Sequence, residues 1–94
     1  MSIRLTVQFN VQPGKSADFE AAAGAAIKRV KAEDAGCEMY DLFRSVDDDS
    51  RYVLIESWAS DQDLKDHGKS PGMAEMQQIG PFMAGAPTMH RYKD

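Results

Sequence analysis

The segments 37–44 and 51–58 each carry apolar residues at both parities: Tyr40 and Leu42 alternate with Met39 and Phe43, then Tyr52 and Leu54 with Val53 and Ile55. Successive side chains of a strand point to opposite faces, so a strand apolar on both sides is one whose two faces are both covered. The polar run 45–50 between them has hairpin length and makes the two strands antiparallel neighbours. Whatever this chain folds into must cover that hairpin twice, and 94 residues are one domain's worth of material to do it with.

The rest of the chain supplies one cover. Ile3, Leu5, Val7, Phe9 and Val11 alternate with polar residues, a half-buried strand over 3–11 that Pro13-Gly14 ends. Ser16 then offers an N-cap hydroxyl, and Phe19, Ala22, Ala23, Ala26, Ile27 and Val30 form one stripe of a helix over 17–35, with Gly36 as its left-handed stop. Ser60 with Asp63 reads as a capping box opening a short helix through His67 to Gly68. Ser70-Pro71 opens another, striped by Met73, Met76 and Ile79 and broken at Gly80-Pro81. After a turn around Phe82 and Met83, residues 86–92 form the last strand, with Pro87 near its start. Strand, helix, strand, strand, helix, strand is the ferredoxin-like α+β order, a four-stranded antiparallel sheet with its helices on one face. The second cover is then expected from another copy of the chain, a two-fold homodimer.

Fifteen acidic and eleven basic residues give a net charge of −4, which offers no electrostatic footprint for nucleic acid. The lone Cys37 allows no intramolecular disulfide, the first residues carry no secretory pattern, and no apolar run has the length of a membrane span; a cytoplasmic location and no membrane partner are expected. Gly14-Lys15-Ser16 and Gly68-Lys69-Ser70 imitate the end of a phosphate-binding loop, but Phe9 and Asp63 stand where its upstream glycine belongs. No Gly-x-Gly pair exists for a dinucleotide, and His67 and His90 have no ligand spacing for a metal. Asp47-Asp48-Asp49 lacks the glycine of a calcium loop and reads as a solvated turn. Cys37 reads as packing.

The chemistry-bearing stretch is Glu56-Ser57-Trp58 followed by His67. If Arg44 faces Tyr52 across the hairpin, Tyr40, Leu42 and Arg44 share a sheet face with Tyr52, Leu54, Glu56 and Trp58. A covered glutamate must find a donor there, and Arg44, Tyr40 and His67 are available. A buried salt bridge is the plainer role for Glu56, and core packing the plainer one for Trp58. His67, at a helix C-terminus and with an ordinary pKa near neutrality, suits either a helix cap or a general base.

The chain resembles the antibiotic biosynthesis monooxygenase domain family, which includes small quinol monooxygenases. The resemblance is carried by Gly36-Cys37, by Tyr40-Asp41-Leu42-Phe43-Arg44-Ser45 and by Tyr52-Val53-Leu54-Ile55-Glu56-Ser57-Trp58. Leu64-Lys65-Asp66-His67, Ser70-Pro71 and the closing Arg91-Tyr92 extend it. It implies a ferredoxin-like domain paired into a dimeric α/β barrel, and a cofactor-independent oxygenase in which a deprotonated quinol or polyphenol itself reduces dioxygen. Carried over by position, it implies His67 as base or anion stabiliser, Glu56 with Tyr40 and Arg44 as polar orienters, and Trp58 as the wall of an aromatic pocket; Tyr52, on the same sheet face, is expected as a further substrate-binding residue. Haem-degrading relatives share Trp58, but Val7 stands where they use asparagine, and no histidine lies between Ser70 and Gly85. Two other uses of the same scaffold are an isomerase of a small hydroxylated carbonyl compound, which needs a base but no oxygen, and a non-catalytic dimer that holds an aromatic ligand.

Overall fold

The computed structural model describes residues 2–93, the side chain of Lys93 excepted. Strand β1 (Ile3–Asn10) is followed by helix α1 (Ser16–Glu33), the hairpin β2 (Cys37–Arg44) and β3 (Arg51–Trp58), helices α2 (Asp61–His67) and α3 (Pro71–Met76), a 3-10 helix (Gln77–Phe82) and strand β4 (Thr88–Lys93). The strands form one sheet in the order β2-β3-β1-β4, every neighbour antiparallel, which is the ferredoxin-like arrangement.

The hydrophobic pattern decides which face is buried. Ile3, Leu5, Val7 and Phe9 of β1 and Tyr52, Leu54, Glu56 and Trp58 of β3 share one parity and are buried, and all but Ile3 and Glu56 belong to one hydrophobic cluster with Phe19, Ala23, Ala26 and Val30 of α1. Arg44 pairs with Tyr52 across the hairpin, so Tyr40 lies opposite Glu56 on that same inner face. The opposite parity of the hairpin has no layer over it among the described residues: Met39, Val53 and Ile55 are half-buried and Phe43 is 46% exposed.

The two serine caps form as the sequence specifies. Ser60 Oγ accepts the Asp63 N–H and Ser70 Oγ accepts the Met73 N–H, each at 3.1 Å. Ser16, however, is the first residue of α1, not its cap, and its hydroxyl donates to the Asp49 carbonyl at 2.7 Å, tying the helix start to the hairpin turn. The helix also ends at Glu33, short of Ala35, because Asp34 leaves helical geometry (φ −87°, ψ 116°) and turns its carboxylate inward. Gly36 does adopt positive φ, 76°, as the hinge into β2. The second helical piece stops at Met76, and a tighter 3-10 segment continues through Gly80 and Pro81, so that this pair does not break the chain's path and Ile79 is carried into the core. Strand β1 ends at Asn10, with Val11 forming an isolated bridge to Met83, and β4 begins at Thr88, just after Pro87.

Candidate active site

Glu56 and Trp58 alternate along β3, so both project beneath the helices, and Tyr40 projects beside them from β2. All three are buried, at 5%, 0% and 1% exposure. The donor that satisfies Glu56 is not Arg44: Trp58 Nε1 donates to Glu56 Oε1 at 2.9 Å. Burial pushes the Glu56 carboxyl above its ordinary range, while the indole donor and the nearby His67 pull the other way. Burial, and then the charge of Glu56, hold the Tyr40 phenol far above its ordinary range, so it remains a hydrogen-bond donor at neutral pH.

Glu56 and Tyr40 face a cavity of about 270 Å³ between the sheet and the α3/3-10 segment. Apart from Gln77 its side chains are otherwise apolar, and they include four methionines, Met73, Met76, Met83 and Met89, with Phe9, Leu54 and Ile79. Thioethers on flexible stems shape themselves to a flat ring and make favourable sulfur–aromatic contacts. One carboxylate and one phenol in an apolar space that size amount to an acceptor and a donor for a single hydroxyl of a small aromatic molecule.

His67 stands behind this cavity, not in it. Its ring, 4% exposed, packs against Trp58 at 4.4 Å between centroids with a 30° tilt, and meets the edge of Tyr40 at 5.3 Å. Its Nδ1 lies 2.6 Å from Asp34 Oδ2, which also accepts the Ser70 hydroxyl at 2.9 Å. The imidazole is therefore bound by a buried carboxylate; it is not spent capping α2, whose last turn is closed by the Gly68 N–H on Leu64 O. His67 faces a separate small concavity of about 210 Å³ shared with Asp34, Asp63 and Asp66.

Tyr40, Glu56, Trp58 and His67 are thus brought together, while Arg44 and Tyr52 are not part of the group. Both lie at the hairpin end of the sheet and bond Glu20 of α1, Arg44 at 3.3 Å, with the Tyr52 ring 4.7 Å from Phe19. Trp58 is an inner support of Glu56 and forms no wall of the cavity. Cys37 is half-buried and burial pushes its thiol up, away from the thiolate form. Two features escape sequence reasoning. The methionines look like an ordinary apolar stripe, and Asp34 sits inside what reads as continuous helix. A signal for Asp34 did exist: an acidic residue at the negative end of a helix, two before a glycine, is poorly placed unless something else holds it. Among the described residues no three histidine, cysteine or carboxylate side chains converge to hold a metal ion, and no helix is long and apolar enough to cross a membrane.

Fold and site together define a ferredoxin-like α+β domain with a largely apolar cavity faced by a carboxylate and a phenol from adjacent strands, with Gln77 as its third polar residue. The model of the antibiotic biosynthesis monooxygenase family matches residues 2–79, and the chain belongs to that family. A Caulobacter crescentus CB15 structure, provisionally named an antibiotic biosynthesis monooxygenase, is 34% identical and superposes with a TM-score of 0.92 over 99% of this chain and 89% of that one. A structure with the same provisional name from Bordetella bronchiseptica is 28% identical, with a TM-score of 0.83 over 99% and 96% of the two chains. YcnE of Bacillus subtilis strain 168, provisionally named a monooxygenase, is 26% identical across 90% of this chain and 88% of its own length.

Proposed function

We propose that the protein is a cofactor-independent monooxygenase of a quinol or polyphenolic aromatic, with Glu56 as the proton acceptor. The carrying observation is that Glu56 and Tyr40 both open onto the apolar cavity, whereas His67 does not. A substrate hydroxyl gives its proton to Glu56, whose raised proton affinity makes it a stronger base than an ordinary carboxylate once ionised. The phenolate left behind accepts a hydrogen bond from the Tyr40 hydroxyl. The electron-rich ring then transfers electrons to dioxygen; one oxygen atom bonds to ring carbon and the other leaves as water, taking the proton that Glu56 had accepted and a second proton that the ring gives up as it becomes a quinone. A hydroquinone becomes a hydroxyquinone with all four electrons coming from the substrate, so atoms and charge balance without an external reductant.

The working unit on this reading is a homodimer whose second copy covers Met39, Phe43, Val53 and Ile55, closing a dimeric α/β barrel, and its place is the cytoplasm. The uncovered apolar parity of the hairpin supports the first and the lone Cys37 the second.

The test is turnover of 1,4-dihydroxynaphthalene under labelled dioxygen, read against the rate without protein. One labelled oxygen in the hydroxyquinone, formed well above the uncatalysed rate, is the expected result. Anaerobic conversion of a hydroxylated carbonyl compound with no oxygen uptake would replace the proposal by an isomerase. Tight binding of the aromatic with no conversion at all would make the protein a carrier.

A further inference from the structure

Asp34 is held in place against two costs. It follows the last residue of α1, where the helix dipole disfavours an anion, and its carboxylate is only 5% exposed, so ionisation also loses hydration. What offsets them is a pair of donors on one oxygen, His67 Nδ1 at 2.6 Å and Ser70 Oγ at 2.9 Å. The bond to Nδ1 fixes the plane of the imidazole. That plane lies on Trp58 at 4.4 Å, and the indole in turn aims Nε1 at Glu56 Oε1, 2.9 Å away. Of these five residues only Glu56 reaches the cavity.

We propose that Asp34 is a positioning residue for Glu56, acting through His67 and Trp58. Asp34 holds the imidazole in one orientation, the imidazole holds the indole, and the indole fixes one carboxylate oxygen so that the other is offered to the cavity. The inference rests on the proposed function only for what Glu56 does once positioned. Charge runs along the same path, since His67 stands between two buried carboxylates and lowers the proton affinity of Glu56. The other charged or titratable groups around His67 are Asp63 and Asp66 of α2, Glu33 of α1 and the phenol of Tyr40. Taking the charge from Asp34 weakens the hold on the His67 ring. The indole then holds Glu56 less firmly, and losing part of a fixed donor to the carboxylate moves its titration upward.

The experiment needs no substrate. Trp58 is the chain's one tryptophan, so its indole N–H gives one nuclear magnetic resonance signal, which is followed against pH together with the Glu56 carboxyl carbon and the His67 ring nitrogens. In the wild type the indole signal is expected to move as Glu56 titrates. In Asp34→Asn the Glu56 midpoint is expected to rise by about half a pH unit or more, and in Asp34→Ala by more, with the indole signal broadened. A well-dispersed Asp34→Asn spectrum with an unmoved Glu56 midpoint overturns the proposal. So does a wild-type indole signal that stays put as Glu56 titrates, a result that stands even if both variants fail to fold. Absence of quinol turnover alongside intact coupling would remove the oxygenase reading and leave this one.

Discussion

Glu56 is the residue on which the local energetics turn. A buried carboxyl whose folded-state pKa lies above its unfolded value binds its proton more tightly in the folded protein. The resulting stability is fully present below the ordinary carboxylate range and is lost as pH rises through that range toward the raised value. Thermal melts across that window should therefore show a fall in Tm with rising pH that is smaller in Glu56→Gln, whose amide oxygen still accepts from Trp58; an unchanged slope would mean that Glu56 is hydrated in solution. Trp58→Phe removes the indole donor and some core volume, and should cost about 1–3 kcal/mol in denaturant unfolding. Since Trp58 supports Glu56 from behind the cavity, this variant should alter the pH profile of turnover more than KM. A raised KM at unchanged pH dependence would put the indole against the substrate after all.

At the scale of elements, the position of α3 sets the depth of the cavity, and glycine makes that position possible. A Cβ on Gly72 would lie 2.7 Å from Val30 Cγ2 and 3.3 Å from the Val30 backbone nitrogen, so Gly72→Ala must push α3 off α1. Overpacking of this kind costs about 1–3 kcal/mol, and because Met73 and Met76 move with α3 the variant should also change KM for the aromatic substrate. A variant with wild-type unfolding and KM would show that the two helices do not set the cavity.

The bounds of β2 and β3 and the two serine caps were legible because each depends on a few neighbouring residues. The 3-10 continuation through Gly80-Pro81 was not, since it is the core's demand for Ile79 that keeps the chain coiled there. Tyr40, Glu56, Trp58 and His67 could be read from strand parity and motif. Asp34 stood out only as an ill-placed acid, and its partners were not legible because they lie 33 and 36 residues away and only the folded topology brings them to it. Arg44 shares parity with Glu56, yet β2 carries it to the far end of the sheet, where Glu20 takes it.

At the scale of the whole molecule, one sheet face is covered by helices of the same chain and, among the described residues, the other is not, which is the basis for expecting a second copy. Sedimentation equilibrium at micromolar concentration should give twice the 10.4 kDa of the chain. Ile55→Glu, which places a charge in the middle of the uncovered face, should shift the protein to monomer or unfold it. A stable wild-type monomer would contradict the dimer. The proposal of oxygenase chemistry meets its most direct test in Glu56→Gln, assayed for oxygen consumption with a quinol that the wild type turns over, with circular dichroism as the control for folding. Turnover lower by roughly a hundredfold to ten-thousandfold in a folded protein, with His67→Ala less affected, is the outcome expected of a positioned base that faces the substrate. Wild-type oxygen consumption by Glu56→Gln would contradict it, and so would a loss confined to His67→Ala.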